Sequence, residues 1–439
     1  MAIIYNALMF LYQAASRVAA VFSPKAASFV KGRKNLIKNI KFETQKNNKS
    51  LQAKRYWFHC ASVGEFEQAR PLIEMIKERD ASAFIVVTFF SPSGYNLRKD
   101  YSLASHVFYL PMDTPGNVRR FLDYVKPDLA VFVKYEFWRN YLHALNKRRV
   151  PLYLISANFM RHQPFFKWWG GMFREMLTKF THIFVQDVGS EDLLRDIGIK
   201  NVTVAGDTRF DRVVAVMEKG KVIPELEAFI GCEMEANDHI ACLIAGSTWP
   251  EDEQMLHYFM NRFRATNQGK LKLVIAPHEP GKEQVGKLNL LFADYNVVKY
   301  SSVVGRCDDI RVKADVYAAD VFILDTIGIL SAAYRYGDFA YVGGGFGAGI
   351  HNTLEPAAFG LPVVFGPNHV KFIEAYGLLS CGGGFAISNH KGYMPGKVDI
   401  MNILAVNKKF RNEASEYCCW YVSKNKGATD KIISMIAPE

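Results

Sequence analysis

A chain of 439 residues with 49% hydrophobic content can bury substantial cores and is too long for a comfortable single domain, so two domains of similar size are expected. The formal charge of +11 suits an anionic surface or substrate, but the cations are dispersed and accompany neither zinc-finger spacing nor a continuous RNA-reading aromatic motif, so nucleic acid is not an expected partner. Seven scattered cysteines lack metal-ligand spacing and favour reduced thiols in a cytosolic compartment over a disulfide scaffold, and no metal or cofactor cage is expected.

Met1 to Phe22 is mostly apolar, interrupted by Asn6, Gln13, Ser16 and Arg17, and a basic run follows with Lys25, Lys31, Arg33, Lys34 and Lys38. About 20 apolar residues make a comfortable membrane span, so Arg17 leaves this segment marginal as one. It can equally lie flat with its charge at the headgroups, or pack on the folded body. Residues 1–24 are read as a membrane anchor whose positive flank stays cytoplasmic on an anionic surface.

Short apolar runs then alternate with helical stretches. Strands are predicted at Tyr56 to Ala61, Ala83 to Phe89, His106 to Leu110, Leu129 to Lys134, Pro151 to Ile155, His182 to Gln186 and Val202 to Ala205. Helices are predicted at Glu67 to Glu78 and Thr114 to Val125. After a polar interval at Lys219 to Asp238 the rhythm resumes, with strands at Ile240 to Ala245, Leu271 to Ala276, Val321 to Asp325, Phe339 to Gly343 and Pro362 to Phe365. Continuous apolar strands separated by helices mark largely parallel sheets covered on both faces. The expected organisation is an α/β protein with one Rossmann-like domain over residues 50–215, a second over 235–420, and a tail over 421–439. Such domains bind ligands at the carboxyl ends of their strands, and two facing ones leave a cleft there.

The candidate chemistry falls at those strand ends. Glu65, in His59-Cys-Ala-Ser-Val-Gly-Glu, is placed to take a proton from an incoming hydroxyl; its spacing from Ser62 equally fits a capping box, and a helix start favours its ionised form. Glu136 either binds acceptor hydroxyls or is a solvated loop acid paired with Lys134 or Arg139. Arg209, in Gly206-Asp-Thr-Arg-Phe-Asp211, either neutralises a carboxylate or phosphate or ties the two domains together. Ser247 and Thr248 suit a phosphate or cap a helix, and Asp325-Thr-Ile-Gly328 carries the same ambiguity. The sharpest segment runs from Gly343-Gly-Gly through His351-Asn-Thr-Leu-Glu355, read as a strand breaking into a glycine loop and a helix whose amides surround a phosphate, with Glu355 able to accept ribose hydroxyls. It is neither a P-loop nor a dinucleotide fingerprint. Between Arg161 and Phe180, aromatic residues alternate with cations, which fits either acyl chains and lipid phosphates or core packing.

Taken in order, the N-terminal apolar segment, Ser62-Val-Gly-Glu65, Tyr135-Glu-Phe-Trp138, Gly206 to Asp211, Asp325 to Gly328 and Gly343 to Glu355 resemble the bacterial Kdo (3-deoxy-D-manno-octulosonic acid) transferases of lipopolysaccharide synthesis. The resemblance implies a GT-B architecture, two facing Rossmann-like domains with N-terminal membrane association, at the cytoplasmic face of the inner membrane. It implies inverting transfer of Kdo from the donor CMP-Kdo to a lipid A precursor, with Glu65 matching the family's general base. Acceptor contacts are then expected from Ser62, Gly64, Glu136 and Arg209. Donor contacts are expected from Ser247, Thr248, His278, Gly344, Gly345, His351, Asn352, Thr353, Glu355 and Lys371. Many relatives carry Arg-His-Pro-Glu-Arg where this chain has Ala276-Pro-His-Glu-Pro-Gly-Lys282, and asparagine where it has Lys371, so His278, Lys282 and Lys371 supply a different positive field. The competing readings are a GT-B enzyme or epimerase acting on another nucleotide sugar, and a noncatalytic membrane scaffold.

Overall fold

The computed structural model describes residues 2–46, 53–231, 240–266, 270–387 and 399–437, and the remainder of the polar interval at 232–239 lies outside them, as does Cys232. The other six cysteines are free thiols. The chain forms two units, Met1–Arg212 together with Lys426–Glu439, and Val213–Asn425.

The first unit is built on strands β1 Arg55–Cys60, β2 Phe84–Phe89, β3 His106–Tyr109, β4 Leu129–Val133, β5 Leu152–Ala157, β6 His182–Val185 and β7 Val202–Val204. Their order is β3-β2-β1-β4-β5-β6-β7, and every neighbouring pair is parallel. All residues of β2, β4 and β5 are buried, as apolar runs covered on both faces should be. One face packs Phe66, Leu72, Ile73 and Ile76 of the helix Val63–Arg79 with Ile432, Ile433 and Ile436 of the chain's last helix, Ala428–Ile436. Asp211 secures that last helix, accepting from the Gly427 and Thr429 amides at 2.5 and 2.7 Å and from the Thr429 hydroxyl at 2.7 Å. The other face packs Trp57, Phe121, Phe132, Tyr141 and Leu145 with Leu36 and Ile40.

Three N-terminal helices precede the sheet: α1 Ala2–Ala19, α2 Pro24–Gly32 and α3 Leu36–Lys46. No residue of α1 is buried, and Ile3, Ile4, Leu8, Phe10, Leu11 and Val18 are exposed. No described helix is long and apolar enough to cross a membrane. Near its start α1 is held by two polar contacts, the Tyr5 hydroxyl donating to Asp113 Oδ2 at 2.7 Å and Asn140 Nδ2 donating to Asn6 Oδ1 at 2.8 Å. One member of the basic flank turns inward. Arg33 donates to the carbonyls of Phe90 and Leu110 at 2.8 and 3.1 Å and lies 3.8 Å over the Phe29 ring, and burial brings its pKa down to about 10.

The second unit uses β8 Ala241–Thr248, β9 Leu271–Pro277, β10 Val297–Lys299, β11 Val321–Ile323, β12 Phe339–Val342, β13 Val363–Phe365 and β14 Gly384–Ala386, ordered β10-β11-β9-β8-β12-β13-β14 and parallel throughout. Both edge strands escape prediction, because three residues reading Val-Val-Lys or Gly-Phe-Ala make no apolar run. In each unit the strand order turns beside the first strand, between β1 and β4 and between β8 and β12. The carboxyl ends of these pairs are the switch points at which sheets of this kind hold ligands.

Candidate active site

At the first switch point, β1 ends at Cys60 and the helix Val63–Arg79 starts behind Ser62, with Glu65 in its first turn. The Ser62 amide donates to Glu65 Oε2 at 2.8 Å, so the capping geometry is present. Oε1 receives no hydrogen bond from a described residue. The helix start does not set the proton affinity. Burial, and then the charge of Glu136, hold the Glu65 carboxyl above the usual carboxylate range against the Ser62 amide, His59 and Lys134. Gly64 is exposed, and a Cβ there would meet only Ser62 Oγ at 3.9 Å. The fold of this unit leaves that space open.

Glu136 is buried, not the solvated acid that pairing with Lys134 or Arg139 would give, and its partner is His59 on β1. His59 is fully buried. Its Nδ1 lies 2.9 Å from Thr88 Oγ1 and 3.2 Å from the Thr88 carbonyl, while Nε2 lies 2.8 Å from Glu136 Oε2. The imidazole thus bridges Thr88 through Nδ1 and Glu136 through Nε2, and its tautomer sets which nitrogen donates. The same Oε2 accepts from Trp138 Nε1 at 2.6 Å, and Trp57 Nε1 donates to Thr88 Oγ1 at 2.9 Å. Parallel register sets this line of groups, since His59 is paired with Thr88 on β2 and Phe132 on β4. His59 directly precedes the Ser-Val-Gly-Glu motif, but nothing in its local spacing points to Glu136, 77 positions away.

Arg209 contacts Asp207 in its own segment. Its Nε and backbone amide donate to Asp207 at 2.9 and 3.0 Å, and Asp207 also accepts from Gln68 and Gln186 at 3.0 and 3.1 Å. Burial would raise the Asp207 carboxyl, yet Arg209 and the surrounding donors hold it below its ordinary value.

At the second switch point the glycines serve packing. A Cβ on Gly343 would lie 2.3 Å from the Ser247 carbonyl oxygen, and one on Gly345 would lie 2.5 Å from Gly366 Cα. Gly344 adopts φ +90°, and its amide donates to Asp252 Oδ2 at 2.8 Å. Buried Asp252 also accepts from the Trp249 amide at 2.9 Å and the Tyr341 hydroxyl at 2.6 Å. The Gly343 amide donates to the Gly246 carbonyl and the Gly344 amide to Asp252, and the helix that follows, Leu354–Ala358, has five residues. Asn352 donates to Glu355 at 3.0 Å and accepts from the Leu354 amide at 3.1 Å, while Thr353 is buried and its hydroxyl has no partner among the described residues. Thr248 is buried and donates to Glu253 at 3.2 Å. Ser247 sits at φ +54° where the β8–β9 register shifts. Asp325 accepts from the Ser301 amide at 2.8 Å and from its hydroxyl, holding the end of β10.

The structure brings His278 and His351 together, and adds Trp249, which sequence reasoning missed. The His278 ring stacks on Trp249 at 4.8 Å and on His351 at 4.4 Å. Trp249 Nε1 donates to His351 Nε2 at 3.1 Å, and burial beside His278 brings the His351 pKa down to about 4. Lys371 is exposed on the loop after β13.

Solved structures share this architecture. UDP-GlcNAc 2-epimerase from Neisseria meningitidis superposes with a TM-score of 0.55 at 14% identity, covering 84% of this chain and 97% of that one. MurG from Acinetobacter baumannii gives a TM-score of 0.54 at 12% identity, covering 88% and 100%. The class so defined is the two-domain GT-B fold of glycosyltransferases. Within it, residues 33–212 match the model of the 3-deoxy-D-manno-octulosonic-acid transferases. The transferase of that name from Aquifex aeolicus is 26% identical over 81% of this chain and 88% of its own length, and the one from Haemophilus influenzae is 23% identical over 87% and 86%. Through that model and these relatives alike, the chain is similar to the bacterial Kdo transferases.

Proposed function

We propose that the protein transfers Kdo from CMP-Kdo to a hydroxyl of a lipid A precursor, with inversion and with Glu65 as the general base. The observation that carries this is the Glu65 carboxyl, half-buried at the first switch point, with one oxygen fixed by the Ser62 amide, its proton affinity raised by burial and Glu136, and open space over Gly64. The acceptor hydroxyl approaches over Gly64 and gives its proton to Glu65 as its oxygen attacks the anomeric carbon. CMP departs with the bonding electrons. A base needs a proton affinity above that of an ordinary surface carboxylate to share a proton with a hydroxyl, and burial supplies it.

In the second unit, His278, Lys371 and the stacked Trp249 and His351 rings form the surface offered to the donor. Lys371 supplies charge to the CMP phosphate or the Kdo carboxylate. The exposed apolar side chains of α1, beside Lys25, Lys31 and Lys34, adsorb to an anionic membrane and bring the enzyme to its acceptor. Incubation with CMP-Kdo and a lipid A precursor should give a product heavier by one or more Kdo residues. Transfer only from UDP-sugars, or vesicle binding without any transfer, would replace this reading by another GT-B activity or by a scaffold.

A further inference from the structure

A cavity of about 350 Å³ opens beside Glu136, walled by Tyr135, Phe137, Trp138, Phe165, Phe173 and, from the N-terminal helix, Tyr5. Its walls are mostly aromatic, and among the described residues Glu136 is its one carboxylate. His59 and Trp138 both address Glu136 Oε2, and Oε1 accepts from no described residue. The carboxylate is thus held in one orientation with an acceptor atom to spare. An alkyl chain filling this space would desolvate that charge without replacing its lost hydrogen bonds. A pyranose ring meets both demands, because its C–H faces lie against the negative faces of aromatic rings while a hydroxyl donates to the carboxylate.

Tyr5 is part of the wall through a specific attachment. Its hydroxyl donates to buried Asp113, which also accepts the amides of Asn140 and Tyr141 at 3.0 and 3.1 Å. Those two residues open the helix Arg139–Lys147, immediately after the Tyr135 to Trp138 segment. Asp113 therefore pins α1 and the Glu136-bearing loop to one point.

We propose that this cavity binds a pyranose ring of the acceptor, with a ring hydroxyl donating to Glu136, and that Tyr5 makes the N-terminal helix a wall of the acceptor site as well as a membrane contact. This deepens the acceptor half of the proposed reaction and rests on it.

The test uses the full chain without donor, so its outcome is separate from whether Kdo is transferred. Saturation-transfer NMR is run with glucose, octyl β-glucopyranoside and octanoate. Ring protons of both sugars should receive saturation, and octanoate should not displace them. Tyr5→Ala should weaken octyl glucoside binding about tenfold, the loss of one aromatic contact, while Tyr5→Phe keeps most of it and recovery on phosphatidylglycerol vesicles is unchanged by either. Displacement by octanoate, absence of ring saturation, or Tyr5→Ala binding that matches the parent overturns the proposal.

Discussion

The two switch points use glycine in opposite ways. Over Gly64 there is room for a methyl group, whereas Gly345 lies with Gly366 so close that a Cβ would stand 2.5 Å from its backbone. The polar groups differ in parallel. The first unit keeps a carboxylate pair beside a buried histidine, Glu65, Glu136 and His59; the second spends its loop amides on Asp252 and offers stacked rings.

The sharpest way to break this contrast is Glu65→Gln. It should lower transfer about 10³-fold, the scale of a lost general base, while CMP-Kdo affinity measured by calorimetry stays at the parent value. Near-parental turnover would return Glu65 to the role of a helix cap. Next in size is Gly345→Ala, which must push two backbones apart and should cost the second unit about 2–3 kcal/mol. Thermal unfolding should show that loss, and an unchanged melting temperature would mean the contact with Gly366 is not tight. The smallest effect sharpens the electrostatics. A base must be deprotonated, so kcat/KM falls as pH drops through the Glu65 pKa, which burial and Glu136 hold above the usual range. Glu136→Gln removes the repulsive charge, lowers that pKa and moves the acid limb to lower pH. A limb that stays in place would mean that Glu136 does not act on Glu65.

Much of the fold was legible because fully buried parallel strands leave continuous apolar runs. Leu129–Val133 and Phe84–Phe89 stand at the predicted positions, while Val297–Lys299 and Gly384–Ala386 do not register because short edge strands borrow their stability from a neighbour. Around the site, Glu65 and its cap were visible as local spacing. The pairing of His59 with Glu136 was not, because parallel register joins residues far apart in the chain. Asp252 was hidden for a related reason. It resembles an ordinary first-turn acid, and only the packed fold brings the Gly344 amide and the Tyr341 hydroxyl to it.

The first unit is discontinuous in sequence: residues 426–439 complete it after the whole second unit has been made. Ile432, Ile433 and Ile436 fill its sheet face, and Asp211 waits for the amides of Gly427 and Thr429. During synthesis, then, the half bearing Glu65 stays unfinished until the helix Ala428–Ile436 has emerged, after the whole second unit.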